Sequence, residues 1–412
     1  SRILLGQICQ LSSGIFAMLE ALPLLPDDPI LGLAAVCRAD GNPKKVDLTV
    51  GIYMDETGVC PVFEAIQQAQ MTLVEREVSK AYLPPAGVAG FNPGMQKLVL
   101  GEDSTALADG RVSSIQAPGG CGALRIGAEI IQAASPGARV WVSDPTWPVH
   151  IPLLGSVGLQ FSTYRYYEPE THGVNFDAMV EDLKGAGAGD IVLLHGCCHN
   201  PCGADLSQEQ WSIVGDMAEA QGFVPFIDFA YQGLGDGLDA DAAGLRHLAQ
   251  RLPEMIIAAS CSKNMGLYRE RTGCTLFLAK DAKSADALLS QAKVAARRVY
   301  SMPPAHGALL ASTVLSDPAL TESWQSELHS MCGRINGLRS DLVEKLQAST
   351  GRDFEFIRAE KGMFSFLGLS SDQVQTLRDD YSVYMLGSSR INVAGVNARN
   401  IDYLADSIAK VL

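Results

Sequence analysis

The stretch MIIAASCSKNMGLYRERTGCTLFLA (255–279) sets two apolar runs, MIIAAS and CTLFLA, around a polar segment carrying Lys263 and Arg271. Short runs of this kind, bounded by polar and Gly positions, read as buried strands. A lysine at the end of a buried strand carries a desolvation cost unless something uses its amine. Three more apolar runs end in polar clusters: RVWVS (139–143) before DPTW, IVLLHG (191–196) before HNP, and FVPFIDF (223–229), which closes on Asp228 to Tyr231. Helical patterns occupy 122–134, 207–221, 241–251 and 283–298, the second opened by Ser207 as cap with Gln210 three residues later. This alternation predicts an α/β fold with a doubly wound, mostly parallel sheet. In such a sheet ligands gather beyond the carboxyl ends of the strands, where the four polar clusters fall.

From 318 onward the pattern changes. Leu320, Trp324, Leu328, Met331, Ile335, Leu338, Leu342 and Leu346 recur at spacings of three and four, which predicts a long amphipathic helix. FEFI (354–357), MFSFLGL (363–369) and RINVA (390–394) read as short strands, and 398–411 as a closing helix, together a smaller α+β unit. The expected organisation is an N-terminal arm over 1–27, a large unit over 61–330, and a small domain built from 28–60 and 331–412.

A chain of 412 residues, 47% hydrophobic and 19% charged, can bury a large core. Its net charge of −14 sets it against nucleic acid and anionic membrane surfaces. No apolar run reaches the length of a membrane span. Ten cysteines scattered through a long chain read as reduced thiols, not as a disulfide scaffold. The opening SRILLGQICQLSSGIFAML has one arginine and no acid before Glu20, and is read as an arm in preference to an organellar leader. The compartment expected is the cytoplasm, with the mitochondrion as the alternative.

PGGCGALR (118–125), SDPTWPVH (143–150), HGCCHNPCG (195–203), DFAYQG (228–233), SCSKNMGLYRER (260–271), YSMPPAHGA (300–308) and SRINVAG (389–395) together resemble the class I aminotransferases, in the aspartate and aromatic branch with fold type I. The resemblance runs in order from about residue 20 to the C-terminus. It implies a pyridoxal 5′-phosphate enzyme in which Lys263 links covalently to the cofactor aldehyde. Asp228 then pairs with the pyridine nitrogen, and Tyr231 and Asn200 bond the ring's 3′-oxygen. Trp147 stacks on the ring. Gly119, Gly120 and Cys121, with Ser260, Ser262 and Arg271, hold the phosphate, helped by Tyr82 from a second copy of the chain. Cys121 stands where the family usually has a hydroxyl, and a thiol is a weaker donor, so looser phosphate binding is expected. His150 and His195 match supporting positions.

For the substrate, the resemblance implies that Arg390 grips the α-carboxylate, with Gly51, Trp147 and Asn200 alongside. Arg297, or Arg298 beside it, reaches the distal carboxylate from the partner subunit. The implied reaction is ping-pong transamination between aspartate and 2-oxoglutarate in a homodimer with shared sites. Aromatic or broad specificity is the alternative, and a catalytically silent binding or structural relative the remote one. No metal is expected: HGCCHNPC packs two His and three Cys into eight residues but lacks a paired C-x₂-C spacing. GAGAGD (185–190) follows a helix and precedes a strand, the wrong order for a dinucleotide loop, and reads as a turn.

Overall fold

A computed structural model describes residues 19, 22–26 and 29–412, so most of the expected arm lies outside the described residues. Seven strands form the central sheet: β1 (Val112–Pro118), β2 (Arg139–Asp144), β3 (Gln160–Arg165), β4 (Ile191–His195), β5 (Val224–Phe229), β6 (Met255–Ser260) and β7 (Thr272–Leu278). Their order across the sheet is β1-β7-β6-β5-β4-β2-β3. Pairing is parallel from β3 through β6, and β7 alone runs antiparallel to its neighbours β6 and β1. The sheet is thus mostly parallel, as expected. Its register sets His195 beside Asp228, Ser260 beside Gly273 and Thr272 beside Pro118 along one edge.

Both faces of the sheet are covered, which suits the near-continuous apolar strands. On one face Leu124 and Ile126 of the helix Gly119–Ala134 pack with Val140, Phe226, Ala258 and Phe277. On the other, Leu194, Ile227, Ile257 and Leu276 pack with Trp211, Leu245 and Trp324. β1 and β3 escape the strand reading of the sequence for different reasons. β1 is the edge strand opposite β3, buried yet polar: the Gln116 side chain accepts from Val88 N at 2.8 Å and donates to Pro304 O at 2.7 Å, so its amide is satisfied without water. β3 is an edge strand with several exposed positions and no apolar run.

The long helix is Pro318–Thr350, capped by Asp317, whose Oδ1 accepts from Ala319 N and Leu320 N, and closed by Gly351 at φ 68°. Its first half, with Trp324 and Leu328, belongs to the sheet's core. Its second half, with Leu342 and Leu346, belongs to a separate cluster containing Leu48, Ile357, Leu377, Val383, Ile391 and Leu404. Around that second cluster lie two short ladders: Val46–Asp47 beside Val383–Tyr384, and Phe364–Phe366 beside Arg390–Asn392. FEFI does not form the expected strand. Glu355–Ala359 is a helix started by Asp353, whose Oδ1 accepts from Glu355 N at 2.8 Å. Phe354 and Ile357 bury together three residues apart, a pattern that four residues cannot distinguish from alternation. The GAGAGD segment is a turn, with Asp190 N donating to Gly187 O at 2.9 Å.

Leu342 is fully buried at the centre of the second cluster. Leu342→Ala is expected to destabilise by about 2–5 kcal/mol, read as a lower midpoint in chemical denaturation with little change in slope.

Candidate active site

Where the carboxyl ends of β5 and β6 meet the start of β7, a cavity of about 620 Å³ opens toward the Phe364–Arg390 ladder. Lys263 sits in the tight turn that follows β6, its Nζ 4.5 Å from the centre of the Tyr231 ring. Burial holds its amine below the ordinary lysine value, Arg271 adds to that, and Asp228 and Cys121 oppose it. A larger fraction of neutral amine is therefore present near neutral pH than in free lysine.

Asp228, near the end of β5, is almost buried. Burial alone would raise its pKa, but the hydrogen bond and charge of His150, with the charge of Lys263, outweigh it and the net shift is downward. His150 Nε2 donates to Asp228 Oδ2 at 3.0 Å, and its Nδ1 shares a hydrogen with Thr146 Oγ1 at 2.8 Å. Thr146 also meets His195 Nε2 at 3.2 Å. Burial lowers His195 to about 3, so its ring is neutral. Together they form a buried chain that presents an ionised carboxylate to the cavity. Trp147 lines the same cavity, edge-on to His150 with ring centres 5.3 Å apart.

On another side the helix Gly119–Ala134 begins directly at the end of β1, so Gly119 to Cys121 form its first turn. Gly119 has φ 67°, and a Cβ there would lie 2.5 Å from Arg271 Nη2. Only glycine lets the guanidinium close against this helix start. Arg271 Nη1 donates to Tyr268 O at 2.8 Å and to Ser262 Oγ at 3.4 Å, and Ser260 Oγ donates to Ser262 Oγ at 2.9 Å. Free helix N–H groups, two hydroxyls and a guanidinium make an anion cradle. Burial pushes the Cys121 thiol upward, so it faces the cradle as a neutral group.

Opposite the cradle, Arg390 is 2% exposed. Its Nη2 donates to Thr49 O at 2.6 Å, Nη1 reaches Asn200 Oδ1 at 3.5 Å, and the guanidinium lies 4.4 Å from the Phe364 ring. Its Nε has no hydrogen-bond partner among the described residues. A Cβ on Gly51 would meet Phe364 Cζ at 2.4 Å, so the absence of a side chain there lets that ring support Arg390. Asn200 is set by the loop after β4, where Asp205 accepts from Cys198 N at 2.6 Å and His199 N at 2.8 Å.

The cavity thus gathers Gly51, Gly120, Cys121, Trp147, Asn200, Asp228, Tyr231, Ser260, Ser262, Lys263, Arg271 and Arg390, with Gly119 directly behind Arg271. It does not gather Tyr82, which is 94% exposed, or Arg297, an exposed residue that donates to Ser301 Oγ. Arg298 turns away to Glu129. Sequence reading missed Tyr268 and Phe364. Tyr268 lies within the quoted polar segment, where its hydroxyl accepts from Tyr53 N at 2.9 Å. Phe364 had no signal beyond its apolar run. In the HGCCHNPC segment, Cys197 and Cys198 come within 4.8 Å of Asp241, but the Asp241 carboxylate already accepts from Gly233, Gly235 and Asp236 N–H groups. His199 and Cys202 meet each other at 3.1 Å.

Residues 43–408 match the family model of aminotransferase class I and II. The chain is 45% identical over 396 residues to the aspartate aminotransferase of Salmonella typhi, covering 96% of this chain and 100% of that one. It is 44% identical over 395 residues to the aromatic-amino-acid aminotransferase of Paracoccus denitrificans, with the same coverage. Among solved structures it superposes with TM-score 0.94, at 44% identity, on the aromatic-amino-acid aminotransferase of Burkholderia pseudomallei covalently bound to pyridoxal phosphate, covering 96% of this chain and 99% of that one.

Because its native pKa is depressed, Asp228 contributes stability that is present above the unfolded value of 3.8 and lost as pH falls through the native one. In His150→Ala burial dominates, the native pKa rises and that contribution disappears. The acid-unfolding midpoint followed by circular dichroism should move to higher pH; an unmoved midpoint would show that His150 does not hold the carboxylate ionised.

Proposed function

The chain belongs to the class I and II aminotransferases, and we propose on that basis that it uses pyridoxal 5′-phosphate to exchange the amino group of aspartate with the oxo group of 2-oxoglutarate. The observation that carries this reading is the convergence of Lys263, Asp228, Tyr231, Asn200 and Arg390 on one cavity. The residues fit the cofactor: a buried amine, a buried ionised carboxylate, an anion cradle at a helix start, and a volume suited to a small ligand. Ser260, Ser262, Arg271 and the Gly119–Cys121 turn would hold its phosphate, Asp228 its ring nitrogen, Tyr231 and Asn200 its 3′-oxygen, and Trp147 its face. Bound there, it supplies an electron-withdrawing ring that lowers the barrier to breaking the substrate Cα–H bond.

The chain's own groups do the rest. Lys263 Nζ, kept partly neutral by burial, accepts the Cα proton as general base and returns a proton as general acid. Arg390 presents its unpartnered Nε with the rest of its guanidinium to the α-carboxylate, a two-pronged contact that fixes the orientation of Cα. Trp147 and Phe364 keep water from the reacting carbon. A first half-reaction releases a 2-oxo acid, and a second runs the same steps backwards on another.

Tyr82 and Arg297 stand outside the cavity of their own chain. In this reading they act in a homodimer, each reaching the partner's site, Tyr82 at the phosphate and Arg297 at the distal carboxylate of aspartate. Exposed Val294 and Val299 near Arg297 support such a face. Arg297 is tied only to Ser301 among the described residues, so it can swing aside for a ring. That, with the relatives named for aromatic substrates, supports aromatic amino acids as the second activity. The proposed units are a large one over 61–330 and a small one from 28–60 and 331–412, supported by the separate apolar cluster of the latter. A cytoplasmic setting, with the mitochondrion as alternative, completes the reading; no described helix is long and apolar enough to cross a membrane.

Lys263→Ala should keep the fold, lose the substrate-dependent shift of the cofactor absorbance, and lower kcat by about 10²–10⁴-fold. A protein that stays colourless with added cofactor would instead be a silent relative. In Arg297→Ala, kcat/KM for aspartate should fall on the order of 10²-fold while that for phenylalanine changes little. Equal turnover of aspartate before and after the change would remove Arg297 from substrate recognition.

A further inference from the structure

A second cleft, of about 510 Å³, lies on the other side of the loop that carries Asn200. The two share no lining residue: His195 to Cys197 and Ala204 to Ser207 face this cleft, and Asn200 faces the cofactor cavity. Nothing in the transamination described above uses it.

Its chemistry is acidic and incompletely compensated. Asp205, Asp241 and Glu360 line it. Asp236 also lines it but is paired with Lys361, Nζ to Oδ1 2.7 Å, so those two cancel. The buried cation acting on Glu360 and Asp205 is Arg339, whose guanidinium is spent on carbonyls: Ile357 O at 2.8 Å, Gly362 O at 2.7 Å and Phe364 O at 2.6 Å. Its contact with Glu360 Oε2 is the longest, at 3.5 Å. Ser365 Oγ donates to the same Oε2. The other oxygen, Glu360 Oε1, is buried with no hydrogen-bond partner among the described residues, in a residue only 2% exposed. Buried acceptors are nearly always satisfied, so an orphan on the wall of a cleft marks a place for a donor. Burial pushes Glu360 up to about 8 and Asp205 to about 7, which says that the cations present do not offset their desolvation.

Three carboxyl groups therefore face one guanidinium, and with Lys361 already paired Glu360 and Asp205 hold protons near neutral pH that an entering cation would displace. The carboxylates do not converge on one point: the only three ligand atoms within 4.8 Å of one another among the described residues are those of Cys197, Cys198 and Asp241. A single compact metal ion therefore cannot collect Asp205, Asp241 and Glu360, whereas two separated ammonium groups can. The same cleft is also lined by Trp211, Val174 and Leu206, apolar surface for a methylene spacer. An anion is disfavoured by the same acids, and the helix start at the rim is already capped, Ser207 Oγ accepting from Gln210 N at 3.2 Å.

We propose that this cleft is a binding site for a small aliphatic diamine, one ammonium donating to Glu360 Oε1 and the other held near Asp205 and Asp241.

Putrescine, titrated calorimetrically into the purified holoenzyme, should bind saturably at one site per chain and raise the melting temperature, with butylamine about tenfold weaker because it loses one charge-assisted contact. Glu360→Gln should weaken putrescine binding about tenfold while leaving transamination unchanged. Ala240→Lys, an exposed substitution at the cleft rim that does not threaten folding, should do the same by charge repulsion. No saturable binding to the unsubstituted enzyme, equal binding to both variants, or a site that takes magnesium ion or inorganic phosphate in place of putrescine would overturn the proposal.

Discussion

Keeping a charged carboxylate ionised inside an apolar sheet edge is the constraint on which this molecule turns. Asp228 is largely withdrawn from water, and its ionisation rests on the donor from His150 and on neighbouring positive charge. His150 is held in turn by Thr146, which also meets His195. The groups of this chain come from different strand ends: His195 closes β4, Asp228 lies in β5, and Thr146 and His150 follow β2. Parallel pairing is what brings them together, since strands running one way leave their carboxyl ends along one edge.

The loop after β4 divides two regions of contrasting composition. In the cofactor cavity Lys263, Arg271 and Arg390 face the single acid Asp228, an excess that suits a ligand carrying a phosphate and a carboxylate. Beyond the loop carboxyl groups outnumber cations. Asp205 belongs to both sides: it lines the acidic cleft while its oxygens hold the N–H groups of Cys198 and His199, two residues that lead directly to Asn200. The loop is positioned by a carboxylate whose own environment is set on the far side.

Much of the fold was legible because apolar runs and helical periodicities are local. The runs at 139, 191, 223, 255 and 274 became strands, and the Ser207–Gln210 capping box formed as the spacing predicted. β1 was not legible, since its Ser113, Ser114 and Gln116 look like surface residues until Val88 and Pro304 arrive to bond the amide. FEFI was misread because four residues carry too little periodicity to choose between a strand and a single helical turn. Within the site, residues that end strands were readable, whereas Phe364, which matters by packing under Arg390, was not.

Sequence alone determined the class of sheet, the strand ends at which chemistry gathers, and, through resemblance, the residue types a pyridoxal enzyme requires. These depend on local pattern and on order along the chain. Tertiary structure decided which of them meet: Arg390 reaches Asn200 and Thr49 across the chain, and Tyr82 and Arg297 are left at the surface. It also decided that Glu360 and Asp205 share a cleft although 155 residues separate them in the sequence (360 − 205). Burial and electrostatic fields arise from through-space neighbours, and a linear order of residues does not contain those distances.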